Sequence, residues 1–191
     1  MDCGKITQGF TGGACGTALP IGGTGAEVVL LNYSDVLKSG SEVDEEKGII
    51  SKIALKSGAK GFLYSSIENS TEGSATLNAG TYVDNYDHSV TLRIFKDTAE
   101  AKAWVNSMKG ARFIALVAKR TTGKNHWEAY GWDSGLKLSE NTYNTTFTDN
   151  VALSPVISSD DTSKESSLPF TFFTESEEAT DAAVYALCQE E

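Results

Sequence analysis

Two apolar runs face each other across a short polar segment. Residues 112–119 (Arg-Phe-Ile-Ala-Leu-Val-Ala-Lys) and 126–132 (His-Trp-Glu-Ala-Tyr-Gly-Trp) flank Thr121-Thr122-Gly123-Lys124-Asn125. Runs rich in β-branched and aromatic residues, joined through a Gly-containing turn, predict a β-hairpin. A lone hairpin is marginal in water, so its apolar face must be covered by further strands or helices. The rest of the chain supplies mostly strands. Residues 27–32 read as a buried strand by length and β-branching. Residues 49–56 and 60–67 are two more, and the turn Ser57-Gly58-Ala59 predicts that they form a hairpin. Within 81–95, Val90, Leu92 and Ile94 alternate with Ser89, Thr91 and Arg93, which is a half-buried strand. Residues 135–148 extend the central hairpin, and 151–157 and 168–173 are the last strands.

Between these strands the period changes. Ala101, Trp104, Val105 and Met108 fall at i, i+3, i+4 and i+7, the stripe of an amphipathic helix over about 98–109. Asp97 with Glu100 reads as its capping box and Gly110 as its stop. Thr174 with Glu177 reads as a second box, and an acidic first turn (Glu175, Glu177, Glu178) suits a terminal helix running to about Cys188. Tyr33–Lys38 reads as a helical turn capped by Ser34, and 39–47, 68–80 and 158–167 read as polar loops. Strands thus follow one another through short turns and do not alternate with helices. The expected fold is mainly β (α+β): two packed antiparallel sheets as a sandwich or open barrel, one flanking helix and a C-terminal helix.

The 191 residues correspond to one domain. Residues 1–25 stand apart. They hold eight glycines and no strand or helix period, which predicts an N-terminal arm ahead of a single β-rich domain over 26–191. Gly22-Gly23-Thr24-Gly25 is no dinucleotide loop. Such a loop follows a strand and opens a helix, whereas this one precedes a strand and has Val28 where the third glycine belongs. The first residues show neither the basic start nor the apolar stretch of roughly 7–15 residues of a secretory signal. The expectation is therefore synthesis in the cytosol with reduced thiols. A Cys3–Cys15 pair is possible by position, but three plain small side chains (Cys3, Cys15, Cys188) is the simpler reading. The triplets at Asn32, Asn69 and Asn144 then match the glycosylation pattern by chance.

Sixteen basic and 26 acidic side chains give a net charge of −10. That excludes bulk-charge gripping of nucleic acid. No apolar run approaches the roughly 18 residues of a membrane span. The excess is uneven: residues 1–140 carry 16 acidic and 15 basic side chains, a net of −1, and residues 141–191 carry 10 acidic side chains and Lys164, a net of −9. Two readings stay open. The acidic segment 141–191 is a solvated face, or it repels something acidic or meets a basic partner.

Catalytic material is sparse. There is no nucleophile elbow, no HExxH and no phosphate loop. His88 and His126 each start a strand and read as surface or interface histidines. Asp84, Asp87 and His88 could form a metal cluster in principle, but Val-Asp-Asn-Tyr-Asp-His reads as a turn entering a strand. Glu128 with Asp133 could do two-carboxylate chemistry only beside a sugar cleft. Trp127 and Trp132 keep that idea open, although Trp127 and Glu128 face opposite sides of their strand and cross-strand aromatic packing is preferred. No catalytic, cofactor-binding or metal residue is assigned, and no cofactor is expected.

Taken in order, several segments carry a family likeness. They are the Gly-rich arm, Val-Val-Leu-Leu-Asn-Tyr-Ser-Asp (28–35), Ile-Ala-Leu-Lys-Ser-Gly-Ala-Lys-Gly-Phe-Leu-Tyr (53–64), Asp-His-Ser-Val-Thr-Leu-Arg-Ile-Phe (87–95), the helix, 112–119 and Trp-Glu-Ala-Tyr-Gly-Trp-Asp-Ser-Gly-Leu (127–136). The order and texture of these segments resemble virion structural proteins of tailed phages of gut Bacteroidetes, of the tail-tube or related ring-forming kind. The resemblance implies two packed antiparallel sheets with a flanking helix. It also implies a non-enzymatic subunit of stacked, hexameric rings that form a DNA conduit in the virion tail. Its partners would be itself and other tail or neck proteins, with DNA passing through the lumen unbound and no membrane involved. Such a chain would be made in the host bacterial cytoplasm. A head–tail connector ring, a carbohydrate-binding or adhesive β-sandwich using Trp127, Trp132 and Tyr143, and a small hydrolase using Asp87, His88 or Glu128 are the alternatives.

Overall fold

The strands of the central hairpin organise everything around them. The computed structural model describes residues 22–145 and 151–189. In it β7 (Arg112–Lys119) lies beside β1 (Thr24–Asn32) along most of its length. The other edge of β7 is shared. Its C-terminal half pairs with β8 (Trp127–Tyr130), and Arg112 and Phe113 pair with β9 (Leu136–Tyr143). The sheet therefore forks at β7 into two wings. One runs β8–β11–β3–β2, with β11 at Phe170–Phe172, β3 at Ile49–Lys52 and β2 at Glu42–Asp44. The other runs β9–β10–β6–β5, with β10 at Leu153–Ser158, β6 at Asn85–Thr91 and β5 at Glu72–Asn78. The short β4 (Phe62–Ser65) covers the free side of β1. Every pairing between these strands is antiparallel except β3–β11, which is parallel.

The mainly-β, helix-flanked expectation describes this molecule, and the two layers are wings of one mixed sheet. The alternation along β1 and β7 shows why. Val29, Leu31, Ile114 and Leu116 point into a core with Ile50, Phe172, Trp127 and Val184. Val28, Leu30, Ala115 and Val117 point the other way, into a core with Val90, Leu92, Ile157 and Met108. Both faces of the central pair are buried, which is why these strands read as continuous apolar runs. The helix α1 (Ala99–Ser107) lies over the second core through Trp104 and Met108, and α2 (Glu177–Ala186) covers the first through Val184.

Several local expectations are corrected. Segments 49–56 and 60–67 do not pair with each other: β3 takes β2 and β11 as neighbours, while β4 pairs with β1. The chain between them is drawn to the end of α2, where Gly61 N–H donates to the Leu187 carbonyl and Ile53 joins the first core. The segment 39–47 contains β2, whose Val43 packs on that core, and 68–80 contains β5. The caps are displaced by one or two residues. The Thr98 and Ser176 side chains accept from Ala101 N–H and Ala179 N–H, whereas Asp97 pairs with Lys102. Tyr33–Asp35 is a single 3-10 turn with no side-chain cap from Ser34, and α2 ends at Ala186, short of Cys188. Of the expected arm, residues 1–21, with Cys3 and Cys15, lie outside the described residues, and β1 begins at Thr24.

Candidate functional site

Two of the buried polar groups, His88 and Glu165, meet where the connection between β10 and β11 crosses the ends of β6 and β8. His88, 1% exposed, is enclosed there. Gly131 N–H donates to its Nδ1 at 3.2 Å, so the ring proton sits on Nε2 and is donated to the Ser167 carbonyl at 2.9 Å. Tyr130 meets the ring edge-on. Burial pushes the His88 pKa below the usual histidine value, which keeps the imidazole neutral. Both ring nitrogens are occupied by backbone, leaving neither for a proton relay or a metal.

Glu165 is the second such group, also 1% exposed. Its main chain bonds Tyr86 in both directions, and its carboxylate accepts from Asp133 N–H at 2.7 Å and Ser134 N–H at 3.0 Å. Burial raises its pKa. The Asp133 carboxylate accepts in turn from Ser166 N–H and Oγ. Arg112 donates to Asp160, and Lys137 forms a second ion pair with the same carboxylate. The Asp160 pKa falls far below the ordinary carboxylate range, chiefly through the hydrogen bond from Lys137. These groups strap the 159–168 segment to the Gly131–Gly135 turn, and each is matched donor to acceptor. That is the arrangement of a structural clamp.

The other candidates are scattered. Asp87 and His88 are neighbours on β6 and so face opposite sides, and Asp87 pairs with Lys164. No group of three or more His, Cys, Asp or Glu side chains among the described residues is placed to hold a metal. Glu128 accepts from Lys119 Nζ at 2.5 Å and from Tyr130 Oη at 2.8 Å, a set separate from that of Asp133. It lies in a cleft of about 400 Å³ with Thr71, Arg93 and Lys119. His126 Nδ1 bonds the Thr121 carbonyl. Trp127 is buried and its Nε1–H donates to Asp181 at 2.7 Å. Trp132 is buried with Lys38 Nζ 3.4 Å above its ring, and desolvation lowers the Lys38 pKa to about 8. Of the three aromatic side chains considered as a sugar platform, Tyr143 alone is exposed, and Lys102 covers its ring. Trp127 and Trp132 are therefore not exposed stacking surfaces. Cys188 is a free, half-buried thiol whose pKa burial raises, the opposite of an activated nucleophile.

Two surface features were not anticipated from the sequence. The first is the outer edge of β5. This strand pairs with β6 without interruption from Glu72 to Asn78, and the described residues give its other edge no strand partner. The second is the tip of that hairpin, where Leu77, Tyr82 and Val83 are exposed. Residues 68–80 are too polar to announce a strand. The signal available was the Ser/Thr/Gly-rich stretch 68–80 lying directly ahead of the strand that alternates through Val90 and Leu92. Compared with protein-family models, curated proteins and solved structures, the chain gives no match.

Proposed function

We propose that the chain is a structural subunit of a virion, a phage tail-tube protein that assembles with copies of itself into stacked rings and performs no catalysis. The observation that carries this reading is the outer edge of β5, which has no strand partner among the described residues. Monomeric β proteins blunt their edge strands with lysine, proline, bulges or very short length. β5 runs for seven residues, Glu-Gly-Ser-Ala-Thr-Leu-Asn, with no Lys, no Pro and no break in register. Its free backbone groups form a template for a strand from another molecule, and closing such edges between copies is how a ring of sheets becomes a continuous barrel. The fold adds support, being a β body flanked by two helices whose candidate catalytic groups are tied up in internal hydrogen bonds. A connector ring would use the same edge, and no observation favours it over a tube.

The test is assembly of the full chain, followed by analytical ultracentrifugation across concentration and negative-stain microscopy. Rings or tubes of uniform diameter are the expected result. A monomer that persists at high concentration, alone and with its neighbouring virion proteins, refutes the reading.

A further inference from the structure

The hairpin tip has a counterpart on the same molecule. Leu30, Phe62, Trp104, Met108, Ala111 and Phe113 line an apolar groove of about 200 Å³ between α1 and the β1–β4 edge. The tip presents Leu77 (53% exposed), Val83 (66%) and Tyr82 (97%). An aromatic side chain left almost wholly in water next to two exposed aliphatic ones is a patch, unlike single surface apolar residues. The groove, correspondingly, has Phe62 exposed at its mouth.

The tip cannot fill the groove of its own chain. Tyr64 in β4 stacks on Trp104 at the groove and donates to the Arg93 carbonyl at 2.7 Å. From Arg93 the chain runs back through β6 to Asn85 before the tip begins. Eight residues of extended backbone at roughly 3.3 Å each span roughly 26 Å. Tip and groove thus lie at opposite ends of β6.

Each surface carries one free charge of opposite sign. Exposed Asp84 follows the tip directly and has no ion-pair partner among the described residues, whereas Glu68, Glu72 and Asp87 are paired with Arg120, Arg93 and Lys164. Exposed Lys109 follows the groove residue Met108 and has no ion-pair partner among the described residues, whereas Lys102 and Arg112 are paired with Asp97 and Asp160. We infer that the β5–β6 tip of one copy seats Tyr82 in the α1–β4 groove of a second copy, with Asp84 meeting the Lys109 end of α1. The two surfaces differ, so the contact is head-to-tail and propagates into a closed ring or a stack. It rests on the self-assembly proposed above and specifies the partner surface.

The experiment places the photo-cross-linker p-benzoylphenylalanine at position 107. Ser107 lines the groove and is itself exposed. The full chain is assembled, irradiated and mapped by mass spectrometry. An intermolecular link to residues 77–85 supports the inference. A link to another segment, including an intramolecular link to residues 1–21, overturns it while leaving self-assembly standing, as does visible assembly with no link. Absence of any assembly overturns both. Tyr82→Ser gives a second readout, because a side chain 97% exposed contributes little to folding. A central interface tyrosine predicts self-association weakened about tenfold or more. Unchanged association of a folded Tyr82→Ser chain also refutes the contact.

Discussion

Replacing Glu165 by alanine isolates the clamp that holds the 159–168 segment. The carboxylate spends one oxygen on Asp133 N–H and the other on Ser134 N–H, at 2.7 and 3.0 Å, inside a site 1% exposed. Hydrogen bonds to a charged group contribute about 1.5–3 kcal/mol each. Burial works against this, since it raises the Glu165 pKa and so penalises the charged form. Balancing about 3–6 kcal/mol of bonding against that desolvation leaves an expected net loss of about 2–4 kcal/mol in Glu165→Ala. Two backbone N–H groups would be left buried without acceptors, which is the mechanism behind large single-site effects. Glu165→Gln is the informative companion. Its amide oxygen can satisfy one N–H, but its NH2 would face the other, so it should recover no more than about half the loss. Urea unfolding at pH 7 measures both. A loss below about 1 kcal/mol in Glu165→Ala, or full recovery in Glu165→Gln, would refute the two-acceptor account.

His88 should give stability a defined pH slope. Its folded pKa is depressed by burial, so the unfolded chain binds the proton first and stability falls as pH drops below about 6.5, by up to about 1.4 kcal/mol per pH unit. In His88→Gln, which can still accept from Gly131 and donate to Ser167, that slope should vanish, so the deficit relative to wild type shrinks between pH 7 and 5. A constant deficit across that range would mean His88 does not stay neutral. Glu165 contributes with the opposite sign, its raised pKa making stability fall as pH rises past the ordinary carboxylate value, and the difference between the two chains cancels it. Trp127→Phe removes the indole donor to Asp181, leaving a carboxylate that is one-third exposed and can turn to water. The expected loss is about 1–2 kcal/mol by thermal unfolding, and a loss above about 4 kcal/mol would mean that packing, not this bond, holds α2 against β8.

What was legible in the sequence was whatever a period encodes. The central hairpin carries its apolar runs on both sides of one turn, and the structure pairs Ala115 with Tyr130 and Ala118 with Trp127 as that predicts. The α1 stripe likewise places Val105 and Met108 in the interior. Tertiary competition was not legible. Ser57-Gly58-Ala59 is a sound turn, yet β1 needs a partner on its free side and takes β4, while β3 is claimed by β2 and β11. β5 escaped because an edge strand whose residues are mostly exposed needs no apolar alternation; its register with β6 runs unbroken. Thr98 and Asp97 are adjacent potential caps, and local spacing cannot tell which one turns inward.

Charge shows the same limit more sharply, and it bears on function. By segment, the last 51 residues form an acidic tail on a near-neutral body. In the fold that division disappears. Asp160 of the tail is paired with Arg112 and Lys137 of the body, and Lys164 of the tail with Asp87 of the body. Glu165, Glu177 and Asp181 are acceptors for specific donors: two N–H groups of the Gly131–Gly135 turn, Gly123 N–H and the Trp127 indole. Part of the acidity that would line a DNA conduit is therefore spent on holding the β10–β11 segment and α2 in place. A lumen that lets phosphates slide needs exposed carboxylates free of such duties. In the stretch 61–92, which includes the outer edge of β5, Glu68, Glu72 and Asp87 are likewise paired, with Arg120, Arg93 and Lys164, and Asp84 is the one carboxylate without an ion-pair partner among the described residues. The tube proposal consequently rests on an edge that has no strand partner among the described residues, and its electrostatics would follow from where that edge pairs rather than from the net charge of the chain.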